Sequence, residues 1–372
     1  MEYRRLGKTE KKVSCIGLGG TSFFHRDFSV KPEDILFTSM DGGINIIDTA
    51  RGYYESETLI GEALAGMKRR KEILIATKTW LRNYSAAKKE IETSLKNLKT
   101  DYIDLYQIHH IQYDYELKKV LSENGALRAL KEAKREGKIL HIGFTSHRPE
   151  MMLEAIKTGE FETIQLPMNP IEKKNMEPIV EEARKRDMGI LAMKPFSGGV
   201  IRNVRAALKF ALNLDMSTVL VGARTIEEIK ADIDTAREFM NISEEEKEDI
   251  LKEIENLDEK FCRRCRYCET VCKNNIPISD IFRSETYLLL SATYARNEYK
   301  SFAKHSTDCT KCGKCEMICP YKLPIREMLV TAHERLTRGK VEDFAVNILR
   351  KAGIYDIARK VYFKLGLPVP KR

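Results

Sequence analysis

The sequence predicts a (β/α)8 TIM barrel followed by a smaller α-helical domain that is rich in cysteine. Over the first 240 residues, eight short apolar segments alternate with stretches in which apolar residues recur at three- and four-residue steps. Strands that alternate with helices form parallel sheets, and eight such units in about 250 residues match the size of a closed barrel. Eight of the nine cysteines follow, all between residues 262 and 319.

Each predicted strand is a short run of apolar or β-branched residues. Helical patterns such as Ser85–Leu98 and Leu127–Arg135 lie between them. The segment Met1–Lys12 precedes the first unit, and we expect it to form a small hairpin over the barrel floor. The eight predicted strands are Val13–Gly19, Ile44–Thr49, Ile73–Thr77, Ile103–Ile108, Ile139–Phe144, Thr163–Leu166, Gly189–Met193 and Thr218–Val221.

The clustered cysteines form two runs with a common spacing, Cys262-x2-Cys265-x2-Cys268-x3-Cys272 and Cys309-x2-Cys312-x2-Cys315-x3-Cys319-Pro320. Bacterial-type ferredoxins use this spacing to bind 4Fe-4S clusters. Three cysteines at every third position can reach three irons of one cube, whereas the fourth lies too far along the chain and commonly binds the other cube. The sequence therefore predicts two 4Fe-4S clusters, one bound by Cys262, Cys265, Cys268 and Cys319 and the other by Cys309, Cys312, Cys315 and Cys272.

Zinc sites and disulfides are the alternatives to this interpretation. Zinc needs only paired cysteines at Cys-x2-Cys spacing, so a third cysteine at the same offset in both runs favours clusters. Disulfides are disfavoured because Met1–Gly7 is polar and no apolar signal-peptide segment follows it. We therefore expect a cytoplasmic setting, with the ninth cysteine, Cys15, as a small buried apolar residue.

Positive charge is concentrated in the cysteine-rich part of the chain. Residues 1–260 contain 42 Lys+Arg and 44 Asp+Glu, whereas residues 261–372 contain 22 and 11. Nucleic-acid binding is one interpretation of this excess. Cluster thiolates are anionic, so we expect the basic residues to offset the negative charge of the clusters or to dock an acidic electron-carrier protein. We therefore predict no nucleic-acid partner. No apolar run approaches about 18 residues, so no membrane span is predicted.

Four regions are predicted from these patterns: a barrel over residues 1–240, a helical linker over 241–260, a dicluster ferredoxin-like domain over 261–330 and a basic helical tail over 331–372. Ser243 and Glu246 form a capping-box pattern at the start of the linker. The segment Ile278–Ala303 is helix-like and too long for a compact ferredoxin hairpin, which favours an α-helical ferredoxin. The tail could pack on the barrel, dock a partner or bind a membrane surface.

Polar residues stand at the ends of three consecutive predicted strands of the barrel. These residues are Asp48, Lys78 and His109, and Tyr53 lies five residues after Asp48. The carboxyl ends of barrel strands form the active site, so all four can face one pocket. An ammonium lowers the pKa of a neighbouring phenol, a carboxylate holds the ammonium, and a histidine helps to bind a carbonyl oxygen. The set favours carbonyl reduction over the alternative, a buried ion pair beside a packed tyrosine.

At these residues the sequence resembles the aldo/keto reductase family. The matching segments are Asp48-Thr49-Ala50-Arg51-Gly52-Tyr53 with Ser56, Glu57 and Gly61, then Ala76-Thr77-Lys78, then Asp104-Leu105-Tyr106-Gln107-Ile108-His109. The resemblance covers residues 1–240 and implies a catalytic tetrad of Asp48, Tyr53, Lys78 and His109, with Tyr53 as general acid. The chain also looks like the branch of this family in which the barrel is followed by a ferredoxin-like domain.

The resemblance further implies an extended nicotinamide cofactor across the barrel mouth, bound without a Gly-rich Rossmann loop. Glu228 and Asp232 stand where NADP-dependent relatives often have arginine and asparagine. A carboxylate repels a 2′-phosphate and accepts from a ribose 2′-hydroxyl, whereas Arg224 favours phosphate, so NADP and NAD both stay open. The implied contacts are Thr145, Ser146, Gln165 and Asn169 at the carboxamide, Lys194, Pro195 and Gly198 under the pyrophosphate, and Gly222, Arg224, Glu228 and Asp232 at the adenosine end.

Two classes of function are consistent with a barrel joined to two clusters. In the first, the chain is an oxidoreductase that acts on a small-molecule carbonyl or alcohol, and its clusters relay electrons to or from a partner. In the second, the barrel is a redox-responsive binding module and the clusters are structural or sensory. Nicotinamide transfers two electrons together and a cubane transfers one, so a flavin could connect them. A barrel phosphate site can host FMN, although no sequence motif marks a flavin site.

Overall fold

The computed structural model describes residues 1–23, 30–67, 69–238, 242–255, 261–288 and 292–337. The chain divides into two compact units. The first contains Met1–Ser197 and Asn203–Ile250, and the second contains Gly198–Arg202 and the chain from Leu251 onward.

The first unit is a closed barrel of eight parallel strands, as the sequence predicts. The strands are joined in the order β10, β3, β4, β5, β6, β7, β8, β9, and all eight predicted strands are present. A two-stranded antiparallel hairpin, β1 and β2, precedes them. The strands are β1 Tyr3–Arg5, β2 Lys12–Ser14, β3 Ile16–Gly19, β4 Ile46–Asp48, β5 Leu74–Thr79, β6 Ile103–Ile108, β7 Ile139–Thr145, β8 Thr163–Pro167, β9 Gly189–Met193 and β10 Thr218–Val221.

Amphipathic helices cover the outside of the barrel. In α5, for example, Leu127, Leu130 and Ala133 are buried because they recur at helical spacing on one face. The helices of this part of the chain are α1 Pro32–Asp41, α2 Ser56–Met67, α3 Tyr84–Asn97, α4 Asp114–Leu121, α5 Ala126–Arg135, α6 Pro149–Lys157, α7 Lys173–Lys185, α8 Val204–Leu212, α9 Ile226–Arg237 and α10 Glu244–Glu255.

The N-terminal hairpin closes the floor of the barrel, which confirms its predicted position. Leu6, between the two hairpin strands, is 1% exposed and packs with Leu105, Leu191 and Leu220 in the barrel interior. Glycine at position 189 leaves room for this side chain, since a Cβ there would lie 2.7 Å from Leu6 Cδ1. Leu6 therefore fills the apolar bottom layer of the barrel and leaves the opposite end for polar residues.

The second unit is α-helical, as predicted, and has a core of its own. Ile278, Ile281, Phe282, Tyr299 and Leu329 are buried together in this core. The helices are α11 Tyr267–Thr270, α12 Ile278–Tyr287, α13 Ala292–Ser301, α14 Lys314–Ile318 and α15 Ile325–Thr337. The sequence predicts residues 278–303 as helix-like, and the described residues of this segment form two helices, α12 and α13, while residues 289–291 lie outside the described part.

The linker and the tail are described in part. Helix α10 occupies most of the predicted linker, and its capping box is present, with Ser243 N donating to Glu246 Oε2 at 3.0 Å and Glu246 N donating to Ser243 Oγ at 3.1 Å. Helix α15 continues across the predicted boundary at residue 330, because Leu329, Ala332 and Leu336 are buried on the same face. Residues 241, 256–260 and 338–372 lie outside the described part. Among the described helices, none has the length and apolar character needed to cross a membrane.

Replacing the floor residue tests this packing. Leu6→Ala should lower the free energy of unfolding of the barrel by about 2–5 kcal/mol, because the deletion leaves a cavity in a layer that cannot easily collapse. Leu121→Ala is a matched control: Leu121 is 37% exposed on α4, and its loss should cost only about 0.5 kcal/mol. Trp80 is the single tryptophan of the chain, so its fluorescence during urea unfolding reports on the barrel. Equal losses in the two variants would contradict the packing described.

Candidate active site and cluster-binding sites

The carboxyl ends of β4, β5 and β6 bring Asp48, Lys78 and His109 to one end of the barrel interior. Successive residues of a strand face opposite sides of the sheet, and these three polar residues share the inward side with apolar residues lower in the barrel. Those apolar residues are Ile46, Ala76 and Leu105. Lys78 Nζ donates to Asp48 Oδ1 at 2.6 Å, to Asp48 Oδ2 at 2.7 Å and to the Thr49 carbonyl at 2.8 Å. The ammonium therefore has an acceptor for each of its three protons.

The Lys78–Asp48 pair is almost completely buried. Burial raises the pKa of Asp48 and lowers the pKa of Lys78, while the attraction between the two groups opposes both changes. Both carboxylate oxygens face the same ammonium, and this geometry fixes the position of the lysine charge. The charge is therefore available to any group that comes close to Nζ.

Tyr53 is the group that lies close to this charge. Lys78 Nζ is 5.0 Å from the centre of the Tyr53 ring, and the ring meets His109 edge to face at a centroid distance of 5.6 Å. The loop that carries Tyr53 is paired with β5 through Arg51 N, which donates to the Lys78 carbonyl at 3.1 Å. All four residues of the predicted tetrad thus lie at the same end of the barrel.

Two further contacts hold the Tyr53 loop. A Cβ at Gly52 would lie 2.4 Å from Trp80 Nε1, so only glycine allows the loop to approach Trp80 this closely. Arg51 Nη1 donates at 2.7 Å to Glu57, whose side chain is fully buried and also accepts from Thr77 Oγ1 at 2.7 Å. The buried Glu57 carboxylate therefore ties the loop to the outer face of β5.

His109 is buried and neutral. Burial, followed by the positive charges of Lys78 and other nearby groups, holds the pKa of His109 well below its usual range. Its ring packs against Trp80 at a centroid distance of 4.2 Å. Within the described residues, His109 Nδ1 has no hydrogen-bond partner. A neutral imidazole at this position can donate or accept a hydrogen bond from a small molecule.

Two glutamines extend the polar layer across the barrel. Gln165 Nε2 lies 3.4 Å from Asp48 Oδ2, and Gln165 Oε1 accepts from Gln107 Nε2 at 2.9 Å. Gln107 Oε1 is buried and has no partner among the residues that the structure describes. Unused hydrogen-bonding capacity at Gln107 and His109 therefore lies at the end of the barrel where a substrate and a nicotinamide are expected.

The other residues predicted to contact the carboxamide form hydrogen bonds within the protein. Thr145 Oγ1 accepts from His110 N at 2.8 Å, and Ser146 Oγ donates to the Ile111 carbonyl at 2.6 Å. Asn169 Nδ2 donates to the Lys194 carbonyl at 3.0 Å. Together with Gln165, these residues lie in or directly after β7 and β8. In this structure Thr145, Ser146 and Asn169 fix the loops at the barrel mouth.

The residues predicted to contact the phosphates and the adenosine lie on the loops after β9 and β10 and on helix α9. Lys194 has a φ of +58°, Gly198 has a φ of +71°, and Pro195 is buried between them. Gly222 follows β10, and Glu228 stands in the first turn of α9, where its carboxylate accepts from Arg224 N at 2.7 Å. Asp232 is buried further along the same helix. Gly198 belongs to the second compact unit and the others belong to the first.

Three residues near the tetrad were not predicted as site residues: Trp80, Gln107 and Glu57. A period-two pattern could have identified two of them. Trp80 is two residues after Lys78, and Gln107 is two residues before His109, so each shares the inward face of its strand. Glu57 has no such signal, because its burial depends on how α2 packs against β5.

The second unit contains two cavities lined by cysteine. Each cavity is lined by three cysteines from one run and by the fourth cysteine of the other run. The first cavity is lined by Cys262, Cys265, Cys268 and Cys319, and the second cavity by Cys272, Cys309, Cys312 and Cys315. Within the described part of the chain, no three His, Cys, Asp or Glu side chains converge on a single-ion site. Each cavity instead brings four cysteines together, which is the number of ligands that a 4Fe-4S cluster takes.

Backbone and side-chain groups around the cysteines suit a bound cluster. Arg264 N and Lys311 N each donate at 3.4 Å to the sulfur two residues earlier, Cys262 and Cys309, and both donors belong to residues with left-handed φ values. Burial raises the pKa of the Cys262 thiol to about 11. Burial thus disfavours the free thiolate at Cys262, and binding to cluster iron would stabilise it.

Comparison with known proteins finds a matching family for each of the two compact units. The profile of the aldo/keto reductase family matches residues 15–206, and the profile of the 4Fe-4S dicluster domain matches residues 261–324. The aldo-keto reductase YhdN of Bacillus subtilis is 31% identical over 218 residues, which cover 54% of this chain and 64% of YhdN. L-galactose dehydrogenase of Arabidopsis thaliana is 23% identical over 310 residues, which cover 69% of this chain and 96% of that protein.

A solved structure shows the same relationship at the level of the fold. The aldo-keto reductase AKR11C1 from Bacillus halodurans, in its holo form, superposes with a TM-score of 0.58 at 26% identity and covers 68% of this chain and 96% of its own. The family profile spans more than half of the 372 residues, and its barrel is the one observed here. The chain therefore belongs to the aldo/keto reductase family, and it is an oxidoreductase that joins this barrel to a 4Fe-4S dicluster domain.

Proposed function

We propose that the chain catalyses NAD(P)H-dependent reduction of a small-molecule carbonyl, or the reverse oxidation of an alcohol, with Tyr53 as general acid. The supporting observation is the fixed Lys78 ammonium, which has Asp48 on one side and the Tyr53 ring 5.0 Å away. The positive charge stabilises the phenolate that remains after Tyr53 Oη gives its proton to the carbonyl oxygen. Asp48 acts as a positioning residue because it holds Nζ in place.

His109 orients the carbonyl group in this proposal. Because burial keeps the imidazole neutral, it can hydrogen-bond a substrate without adding a charge. Trp80 packs against the ring and limits its rotation. Bound nicotinamide would supply or accept the hydride, and Gln165, Asn169, Thr145 and Ser146 are the proposed contacts of its carboxamide. Lys194, Pro195 and Gly198 are the proposed contacts of its pyrophosphate, and Gly222, Arg224, Glu228 and Asp232 of its adenosine end.

We further propose that the two cysteine-lined cavities bind 4Fe-4S clusters that relay single electrons to or from an acidic carrier protein. Supporting observations are the four cysteines around each cavity and the backbone N–H donors to their sulfurs. A reducing compartment such as the cytoplasm keeps these thiols available for iron.

Removing one hydroxyl tests the role of Tyr53. Tyr53→Phe should lower kcat by about 10²- to 10⁴-fold, which is typical for the loss of a general acid, while the affinity for reduced nicotinamide stays near wild type. Tyr54→Phe is the matched control because Tyr54 is the next residue and is 52% exposed. Kinetics would be measured anaerobically on aldehydes, ketones and quinones with both nicotinamides. Full activity of Tyr53→Phe would contradict this role: either the chemistry would belong to the clusters, or the tetrad would be a relic and the redox-responsive binding module would be the better account.

The effect of Glu228 on the choice between NADH and NADPH is tested by removing the charge of its side chain while keeping its shape. Glu228→Gln still offers an oxygen to Arg224 N but no longer repels a 2′-phosphate. NADPH affinity relative to NADH should rise roughly fivefold or more, since like charges about 4 Å apart cost about 1 kcal/mol even in water. Glu227→Gln, at the exposed neighbouring position, should leave the ratio unchanged. An unaltered preference in Glu228→Gln would remove this residue from the cofactor site.

The exchange of the fourth cysteines is tested by iron content and spectra. The anaerobically purified protein should contain about eight iron and eight sulfide per chain. Cys272→Ser should alter the EPR signal of the cluster bound by Cys309, Cys312 and Cys315, because Cys272 lines that cavity. Cys15→Ala is the control, since Cys15 is buried in the barrel and should affect neither cluster. Damage confined to the cluster of Cys262, Cys265 and Cys268 would contradict the exchange.

A further inference from the structure

The two cavities differ in how their cysteines meet the solvent. Cys312, in the second cavity, is the exposed cysteine of the eight, whereas the cysteines of the first cavity are buried or half-buried. Helix α15 holds both the loop that carries Cys312 and the following helix α14, because Arg326 Nη1 donates to the Lys311 carbonyl at 3.4 Å and Arg326 pairs with Glu316 at 2.7 Å. Electrons can therefore enter or leave the domain over a short distance at Cys312.

The two arginines that line the first cavity already have partners. Arg266 pairs with Glu269 at 3.0 Å and with the buried Asp280 at 2.8 Å. The Arg263 guanidinium lies 5.2 Å from the centre of the Tyr321 ring, and its Nη1 donates to the Phe261 carbonyl at 2.6 Å. These arginines are engaged within the domain and are not available to a second protein.

Lysines at the second cavity are different. Lys273, Lys311 and Lys314 are exposed, and none of them has a carboxylate partner within the described residues. Lys273 follows Cys272, and Lys311 and Lys314 flank Cys312 and Gly313. Two of these lysines thus lie close to the exposed cysteine along the chain, and Lys273 lines the same cavity as Cys312. Among the described residues, these positive charges have no carboxylate partner. A partner that docks here has to present carboxylates.

Two exposed apolar side chains follow Lys314 in helix α14. Met317 is 87% exposed and Ile318 is 40% exposed, and they lie three and four residues after Lys314, so the three side chains share one face of α14. An exposed apolar centre with a charged rim is the usual composition of a protein–protein interface.

We propose that this surface, formed by Cys312, Lys273, Lys311, Lys314, Met317 and Ile318, is the docking site for an acidic one-electron carrier protein. The inference rests on the proposed electron relay and adds where the carrier binds and which cluster it meets. In each encounter the reduced carrier loses one electron and the cluster of Cys272, Cys309, Cys312 and Cys315 gains one, with no proton or bond transferred.

Charge reversal on the full-length, cluster-containing protein tests the site. The probe is a small acidic 2Fe-2S ferredoxin, reduced beforehand, and cluster bleaching is followed by stopped flow while affinity is measured by calorimetry. Lys311→Glu with Lys314→Glu should slow association about tenfold or more at low ionic strength, and the difference should shrink at high salt. Lys89→Glu with Lys174→Glu makes the same change in net charge at two exposed barrel lysines and should leave the rate near wild type.

The apolar centre is tested separately. Met317→Ser should weaken calorimetric affinity, whereas Leu251→Ser, at a residue that is 57% exposed on α10, should not. Reduction by dithionite should be the same in every variant, which shows that the clusters are intact. Equal slowing in both charge-reversed proteins, or equal binding of the wild type to a random DNA duplex, would overturn the proposal.

Docking and carbonyl reduction can fail independently. If the wild type exchanges no electrons with the ferredoxin although dithionite reduces its clusters, the docking site is wrong, whatever the result with NAD(P)H. If ferredoxin docks as expected and no carbonyl compound is turned over, the proposed chemistry of the barrel fails and the docking site stands.

Discussion

The buried ion pair between Lys78 and Asp48 is the interaction on which the geometry of the barrel mouth depends. A buried charge is costly unless it is paired and hydrogen-bonded, and here the ammonium has three acceptors within 2.8 Å. Because β4 and β5 are neighbours in the barrel, their backbone pairing sets the distance between the two groups. The fixed charge then defines where a proton donor is useful, and Tyr53 stands next to it.

A comparable constraint organises the second unit. Each cavity takes three cysteines from one run and one from the other, so the two runs are needed together for either cavity. The segments between them, α12 and α13, supply the apolar core around Ile281 and Tyr299. Binding of iron and folding of this unit are therefore expected to be coupled, as in other small metal-binding domains.

The alternation of strand residues explains why so much of the barrel site was predictable. Asp48, Lys78 and His109 are all at strand ends, and all lie on the inward face, so order and spacing along the chain are enough to bring them together. Contacts made through helices and loops were not predictable in this way. Glu57 is buried because α2 packs on β5, and Glu228 bonds to Arg224 N because the loop after β10 turns back at α9.

The sequence by itself determined the number and order of the strands, the helical nature of the second unit and the grouping of the eight cysteines, since these follow from periodicity and spacing. Tertiary structure alone decided which polar atoms keep unused hydrogen-bonding capacity, such as His109 Nδ1 and Gln107 Oε1, and which cysteine is exposed. Burial and pairing depend on neighbours that are far apart along the chain. Identical cysteine spacing therefore could not reveal that Cys312 meets the solvent while Cys265, its equivalent in the first run, is half-buried.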